Sequence, residues 1–137
     1  MNLRYEAQAR FFRAYLYFQL AKRHTRGCDY GGLVLHTSLE MSKSTPLSSA
    51  QEVRQQIYDD LDFAAEAWDP ANSGRITSYD AYAFMSRAML YAERWEDAKN
   101  AADMVINSGK FSLTADYADA YKGSNSESII QFVYNGV

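Results

Sequence analysis

Apolar residues recur along this chain at intervals of three and four, the period of a helix with one buried face. Between Leu3 and Arg23 the stripe is Ala7, Phe11, Ala14, Tyr15 and Phe18, which predicts a first helix over about 3–23. A loop insertion over 24–48 follows. It opens on Arg26-Gly27-Cys28-Asp29-Tyr30-Gly31-Gly32, where the glycines supply backbone conformations that helices and strands do not use. Leu33-Val34-Leu35 is briefly strand-like, and the polar stretch from Glu40 ends on Pro46, which disfavours helix before it. Ser49 with Glu52 spells a capping box, so a second helix is expected over about 49–68, with Val53, Ile57, Leu61, Ala64 and Trp68 inward and Asp69-Pro70 as its stop.

After the turn at Asn72-Ser73-Gly74-Arg75, Thr77 and Asp80 repeat the capping signal and start a third helix, about 78–92. Its apolar face is read as Tyr82, Met85, Ser86, Met89 and Leu90. The chain turns tightly around Arg94 and enters a fourth helix, about 95–108, marked by Ala98, Ala101, Ala102, Val105 and Ile106 and stopped by Asn107-Ser108-Gly109. The pattern weakens beyond Phe111-Ser112-Leu113: Asp116 to Tyr121 suits a helical turn or two, and Ile129 to Tyr134 suits a short extended segment, with a buried helix end as the alternative. The fold class expected is all-α, a single domain over 1–137 built of antiparallel helical hairpins, helix one with two and three with four.

Composition narrows the function more than the fold. A net charge of -3, from 14 basic and 17 acidic residues, leaves no basic field for nucleic acid or an anionic membrane. Cys28 is the single cysteine, which excludes an internal disulfide. Neither a long apolar run nor an export signal follows Met1, and Cys28 lacks the apolar segment that precedes a lipid-attachment cysteine. No catalytic motif stands out, so no catalytic residue, metal or cofactor is expected; His24, Cys28 and His36 match no zinc spacing. Asp59, Asp60, Asp62 and Glu66 read as a solvated helix face rather than paired catalytic carboxylates.

Aromatic residues make up 15% of the chain and include 11 tyrosines. Tyrosine suits half-buried helix faces and sugar-stacking surfaces equally. Tyr5, Tyr15, Tyr17, Tyr58, Tyr79, Tyr82 and Tyr91 mostly fall at helical spacing and are assigned to packing, as are Trp68 and Trp95. Tyr30, between Asp29 and Gly31 in the loop, is the aromatic best placed to meet a ligand.

Helices three and four have the spacing of a tetratricopeptide hairpin, with small Ser86 early, Trp95 opening the second helix, then Ala98 and Ala102. Small residues let two antiparallel helices approach closely, and the aromatic is expected to fill the wedge between repeats. The order of the motifs resembles the SusD/RagB family. Glu6 to Leu20 is similar to that family's EARFLRAYYYFQL helix, and Tyr30-Gly31-Gly32-Leu33-Val34-Leu35 to its YGGVPLV loop, with Val34 replacing the proline. The sequence continues in family order through Glu52-Val53, Asp60-Leu61, Gly74-Arg75-Ile76-Thr77, Trp95-Glu96-Asp97-Ala98, Val105 to Leu113 and Glu127-Ser128-Ile129-Ile130.

The resemblance implies a tetratricopeptide-like scaffold, a fragment of the SusD-like α-α superhelix. It also implies a parent protein at the outer membrane surface that captures an oligosaccharide or similar nutrient, without catalysis, beside a SusC-like TonB-dependent transporter. Family members are several times longer, so the chain is expected to be a shortened form holding the scaffold. Sugar contacts in the family come chiefly from loops outside the matched segment, so none is carried over by position. Self-association of the fragment is expected, because two hairpins leave an apolar end face open. A generic tetratricopeptide adaptor binding peptides is the alternative function.

Overall fold

The computed structural model describes residues 3–25, 31–38, 46–67, 75–122 and 125–131. Four α-helices carry the fold: α1 (Leu3–His24), α2 (Ala50–Ala67), α3 (Ser78–Tyr91) and α4 (Trp95–Ile106), followed by a short 3₁₀ helix, Tyr117–Tyr121. α1 packs against α2 and α3 against α4, while α2 also packs on α3, so the two hairpins share one core. The all-α, hairpin-built reading holds: among the described residues the extended backbone amounts to a single bridge between Leu33 and Ser48.

The buried positions explain why these segments are helical. α1 buries Ala7, Phe11, Ala14, Tyr17, Phe18 and Ala21, and α2 buries Val53, Ile57, Leu61, Ala64 and Ala65, each a stripe at helical period. Alanines at the crossings let the backbones close up, and Phe11, Tyr15 and Phe18 of α1 gather around Phe84 of α3 at centroid distances of 5.3–5.9 Å. α3 lies between α2 and α4, and its buried set is therefore wider than one stripe and differs from the expected face. Ala81, Phe84, Met85, Ala88 and Met89 are buried, Tyr82 and Ser86 are half-buried, and Leu90 is exposed.

Both capping boxes form. Ser49 N–H and Oγ donate to Glu52 Oε2 at 2.7 and 2.8 Å, and Thr77 N–H and Oγ1 donate to Asp80 Oδ2 at 2.5 and 2.8 Å. The α3–α4 turn is a Schellman motif: Arg94 N–H donates to Met89 O at 2.9 Å and Glu93 N–H to Leu90 O at 3.1 Å, with Glu93 left-handed at φ 58°. Gly109 ends the α4 region at φ 64°, the left-handed conformation expected of it.

Past α4 the chain is held by polar bonds. Asn125 donates to the carbonyls of Asp119, Ala120 and Lys122 and accepts from the amides of Glu127 and Ser128, and Ile130 packs back on the core.

Candidate interaction surface

α1 is apolar on two faces. Its inner stripe is core; its outer stripe runs through Ala9, Phe12, Leu16 and Leu20, with Phe12 39%, Leu16 58% and Leu20 42% exposed. The loop that follows α1 returns alongside this stripe because Tyr17 holds it there. The Tyr17 hydroxyl donates to Val34 O at 3.0 Å and accepts from His36 N–H at 2.6 Å. A second tie closes the loop at its base, where Gly32 N–H donates to Ser48 O and Ser48 N–H to Leu33 O at 3.1 and 2.7 Å. Gly32 takes φ 78° to make that reversal. The result is a groove of about 450 Å³ along α1, lined by Ala9, Phe12, Leu16 and Leu20 on the helix, Val34 and His36 on the loop, and Arg13 and Tyr17 at its floor.

Beneath the groove lies an ion pair that fixes α1 to α2. Arg13 donates from Nε to Asp60 Oδ2 at 2.7 Å and from Nη2 to Oδ1 at 2.6 Å, Gln56 donates to Oδ1 at 3.0 Å, and Arg10 stands 4.0 Å away. Asp60 is 0% exposed. This corrects the solvated-face reading for Asp60: burying a carboxylate is unfavourable unless it is paired, and here a bidentate guanidinium and an amide occupy its lone pairs. Asp59 and Glu66 are exposed as expected, and Asp62 is half-buried. The hydrogen bond to Asp60 is also the main cause that raises the Arg13 pKa above its ordinary value, against partial burial. Arg10 extends the tie by bonding Glu6 at 2.7 Å and lying over the Phe63 ring at 3.9 Å.

The polar groups of this surface are thus committed to structure, and what the groove offers a partner is apolar contact with a histidine at its rim. Among the described residues no set of three or more His, Cys, Asp or Glu is placed to hold a metal ion. No described helix is long and apolar enough to cross a membrane.

Of the residues singled out in the sequence, Ala98 is buried and Ser86 and Ala102 are half-buried in the α3–α4 hairpin. Trp95 is 62% exposed. Tyr30, Cys28, Trp68, the stops at Asp69-Pro70 and Asn72 to Gly74, and the segment from Phe132 lie outside the described residues. Tyr15, Tyr58, Tyr79 and Tyr82 are half-buried and Tyr17 is buried, while Tyr5 and Tyr91 are exposed. Burial raises the Tyr82 pKa, aided by Glu66 and Asp62.

Sequence reasoning missed the outer stripe of α1, although its signal was present: Phe12, Leu16 and Leu20 recur every four residues beside the stripe that was read. It also missed the Tyr17 clamp and the Arg13–Asp60 pair, for which no local pattern exists.

Stacked antiparallel hairpins sharing one core, with a clamped loop between the first two helices, define a helical-repeat scaffold. Among solved structures the chain is similar to a SusD-like protein from Bacteroides fragilis at 30% identity, over 81% of this chain and 22% of that one, with a TM-score of 0.69. It is similar to a SusD-like carbohydrate-binding protein from Bacteroides vulgatus at 28% identity, over 88% and 27% of the two chains, with a TM-score of 0.72. A SusD superfamily protein from the same species matches 96% of this chain and 29% of its own length at 25% identity, with a TM-score of 0.79. The chain therefore spans about a quarter of the length of these proteins. No family model and no curated protein matches it. Across most of its length the chain is thus similar to SusD-like proteins, in line with its ordered motifs.

Proposed function

We propose that this chain is the non-catalytic helical scaffold of a carbohydrate-binding protein on the outer membrane surface, which works with a SusC-like TonB-dependent transporter. The observation that carries this reading is the structural match over 96% of the chain to a SusD superfamily protein. One similar protein is described as carbohydrate-binding. The surface supports a scaffold role: Arg13 is committed to α2 and the Tyr17 hydroxyl to the loop, so the groove presents mainly apolar contact rather than a polar ligand pocket. A glycan is held by loops that such a scaffold supports.

The test has two arms. Co-expression with a TonB-dependent transporter encoded beside the chain's own gene is expected to yield a co-purifying complex; an isolated reading frame with no such neighbour would favour a peptide-binding adaptor. Affinity electrophoresis of the chain in gels containing glucans is expected to show no retardation. Saturable retardation abolished by Tyr30→Ala would place the sugar site on the scaffold and overturn this division of roles.

A further inference from the structure

We infer that Val34 to His36 form a strap, anchored at the Leu33–Ser48 bridge and latched by the Tyr17 hydroxyl, which opens away from α1 as a unit while the four helices stay folded. Latched, the strap is one wall of the α1 groove; released, it leaves Phe12, Leu16 and Leu20 on an open face.

Three features of the loop lead to this. The first is that one edge of the strap hangs on a single atom. The Val34 carbonyl and the His36 amide point to the same edge of an extended segment, and both bond the Tyr17 hydroxyl, at 3.0 and 2.6 Å. One oxygen donates and accepts where a neighbouring strand would supply an amide and a carbonyl. The two bonds are therefore made and lost together.

The second is that the opposite edge has no hold beyond its base. Leu33 and Ser48 form an antiparallel bridge, and in that register the next pair is Leu35 with Pro46. Proline has no N–H to donate to the Leu35 carbonyl, so the ladder stops after one bridge. Among the described residues the backbone from Leu33 to His36 is bonded to the rest of the fold at Ser48 and at Tyr17.

The third is where the burial lies. Tyr17 is 8% exposed and belongs to the core, so its ring keeps its place when the latch opens. On the strap, Leu35 is half-buried at the margin of the core, Val34 is half-buried against the groove, and His36 is exposed, as are Thr37 and Ser38 beyond it. Opening uncovers side chains that are already partly in water, whereas unfolding the helices would expose Phe11, Phe18, Ile57 and Leu61. Segments with few buried apolar contacts open well before the core does.

Native-state hydrogen exchange of the full chain, followed by NMR in urea below the unfolding transition, reads the latch at the His36 amide. That amide is expected to exchange through a local opening, at a rate that urea leaves unchanged, while Leu61 and Ala88 in the core helices exchange far more slowly and faster with each increment of urea. Tyr17→Phe keeps the buried ring and removes the hydroxyl. It is expected to speed His36 exchange about tenfold or more and to weaken the proton contacts between Val34 and the ring at position 17, with Leu61 and Ala88 still slow and urea-dependent. A His36 amide with the urea dependence of Leu61 would overturn the inference, because the strap would then open only with the whole fold. So would Tyr17→Phe leaving His36 exchange unchanged, or bringing Leu61 and Ala88 to the same rate as His36. None of these outcomes bears on transporter or glycan binding.

Discussion

The two capping boxes show how one motif acquires opposite electrostatics from its surroundings. Glu52 sits in solvent, and the amide and hydroxyl of Ser49 hold its carboxyl below the ordinary 4.5. Asp80 makes the same bonds to Thr77, yet burial wins and raises its carboxyl above the ordinary 3.8. Glu52 therefore contributes stability that is present above pH 4.5 and lost as pH falls through its depressed value. Asp80 does the reverse: the folded state holds the proton more tightly, so stability declines as pH rises from 3.8 through the raised value. Thermal unfolding across the acid range is expected to steepen its loss with rising pH in Glu52→Gln and to flatten it in Asp80→Asn. Identical pH profiles for the two variants would show that their surroundings do not set the sign.

Backbone strain sits at the same scale. Glu93 holds φ 58°, a conformation that costs a residue with a Cβ about 1–2 kcal/mol, because the Schellman turn demands it there. Glu93→Gly relieves that strain but loosens the unfolded chain, for a net gain expected at about 0.5–1 kcal/mol, measured by urea denaturation.

At the scale of elements, α1 and α2 are joined by a pair whose value lies in not being broken. Arg13→Met would leave the Asp60 carboxylate buried with only Gln56 and a distant Arg10, at an expected cost of about 3 kcal/mol. Arg13→Met with Asp60→Leu removes the uncompensated charge and is expected to recover most of that loss in chemical denaturation. A double variant as unstable as the single one would assign the loss to packing of the arginine stem.

This pair also marks where sequence reading stops. The starts of α2 and α3 and the end of α4 were legible because capping boxes and the Gly109 stop are local facts about neighbours in the chain. The face of α3 was read only in part because an element with neighbours on two sides has no single stripe, and Phe84 lay outside the one chosen. Asp60 looked like its neighbours Asp59 and Asp62; only the fold brings Arg13 to it. The candidate surface was half visible for the same reason: its apolar stripe is periodic, but the clamp from Tyr17 to Val34 and His36 joins residues that only tertiary structure brings together.

On the scale of the whole molecule, the question is whether two hairpins behave as two units or one. Repeat proteins distribute their stability between intrinsic repeat terms and the interfaces between neighbours, and a weak interface lets repeats unfold separately. Here α2 packs on both α1 and α3, and the aromatic cluster around Phe84 takes residues from α1 and α3, so the interface draws on the same side chains that build the hairpins. Leu61 of α2 is fully buried in the shared core. Leu61→Ala is expected to cost about 2–5 kcal/mol. If the core is one unit, native-state hydrogen exchange will show that cost equally in the slowest amides of α1 and of α4, although α4 is the helix furthest along the stack from α1. Loss of protection confined to α1 and α2, with α4 unchanged, would mean two independently stable hairpins. The chain would then be a pair of modules and not the single rigid platform on which its scaffold role depends.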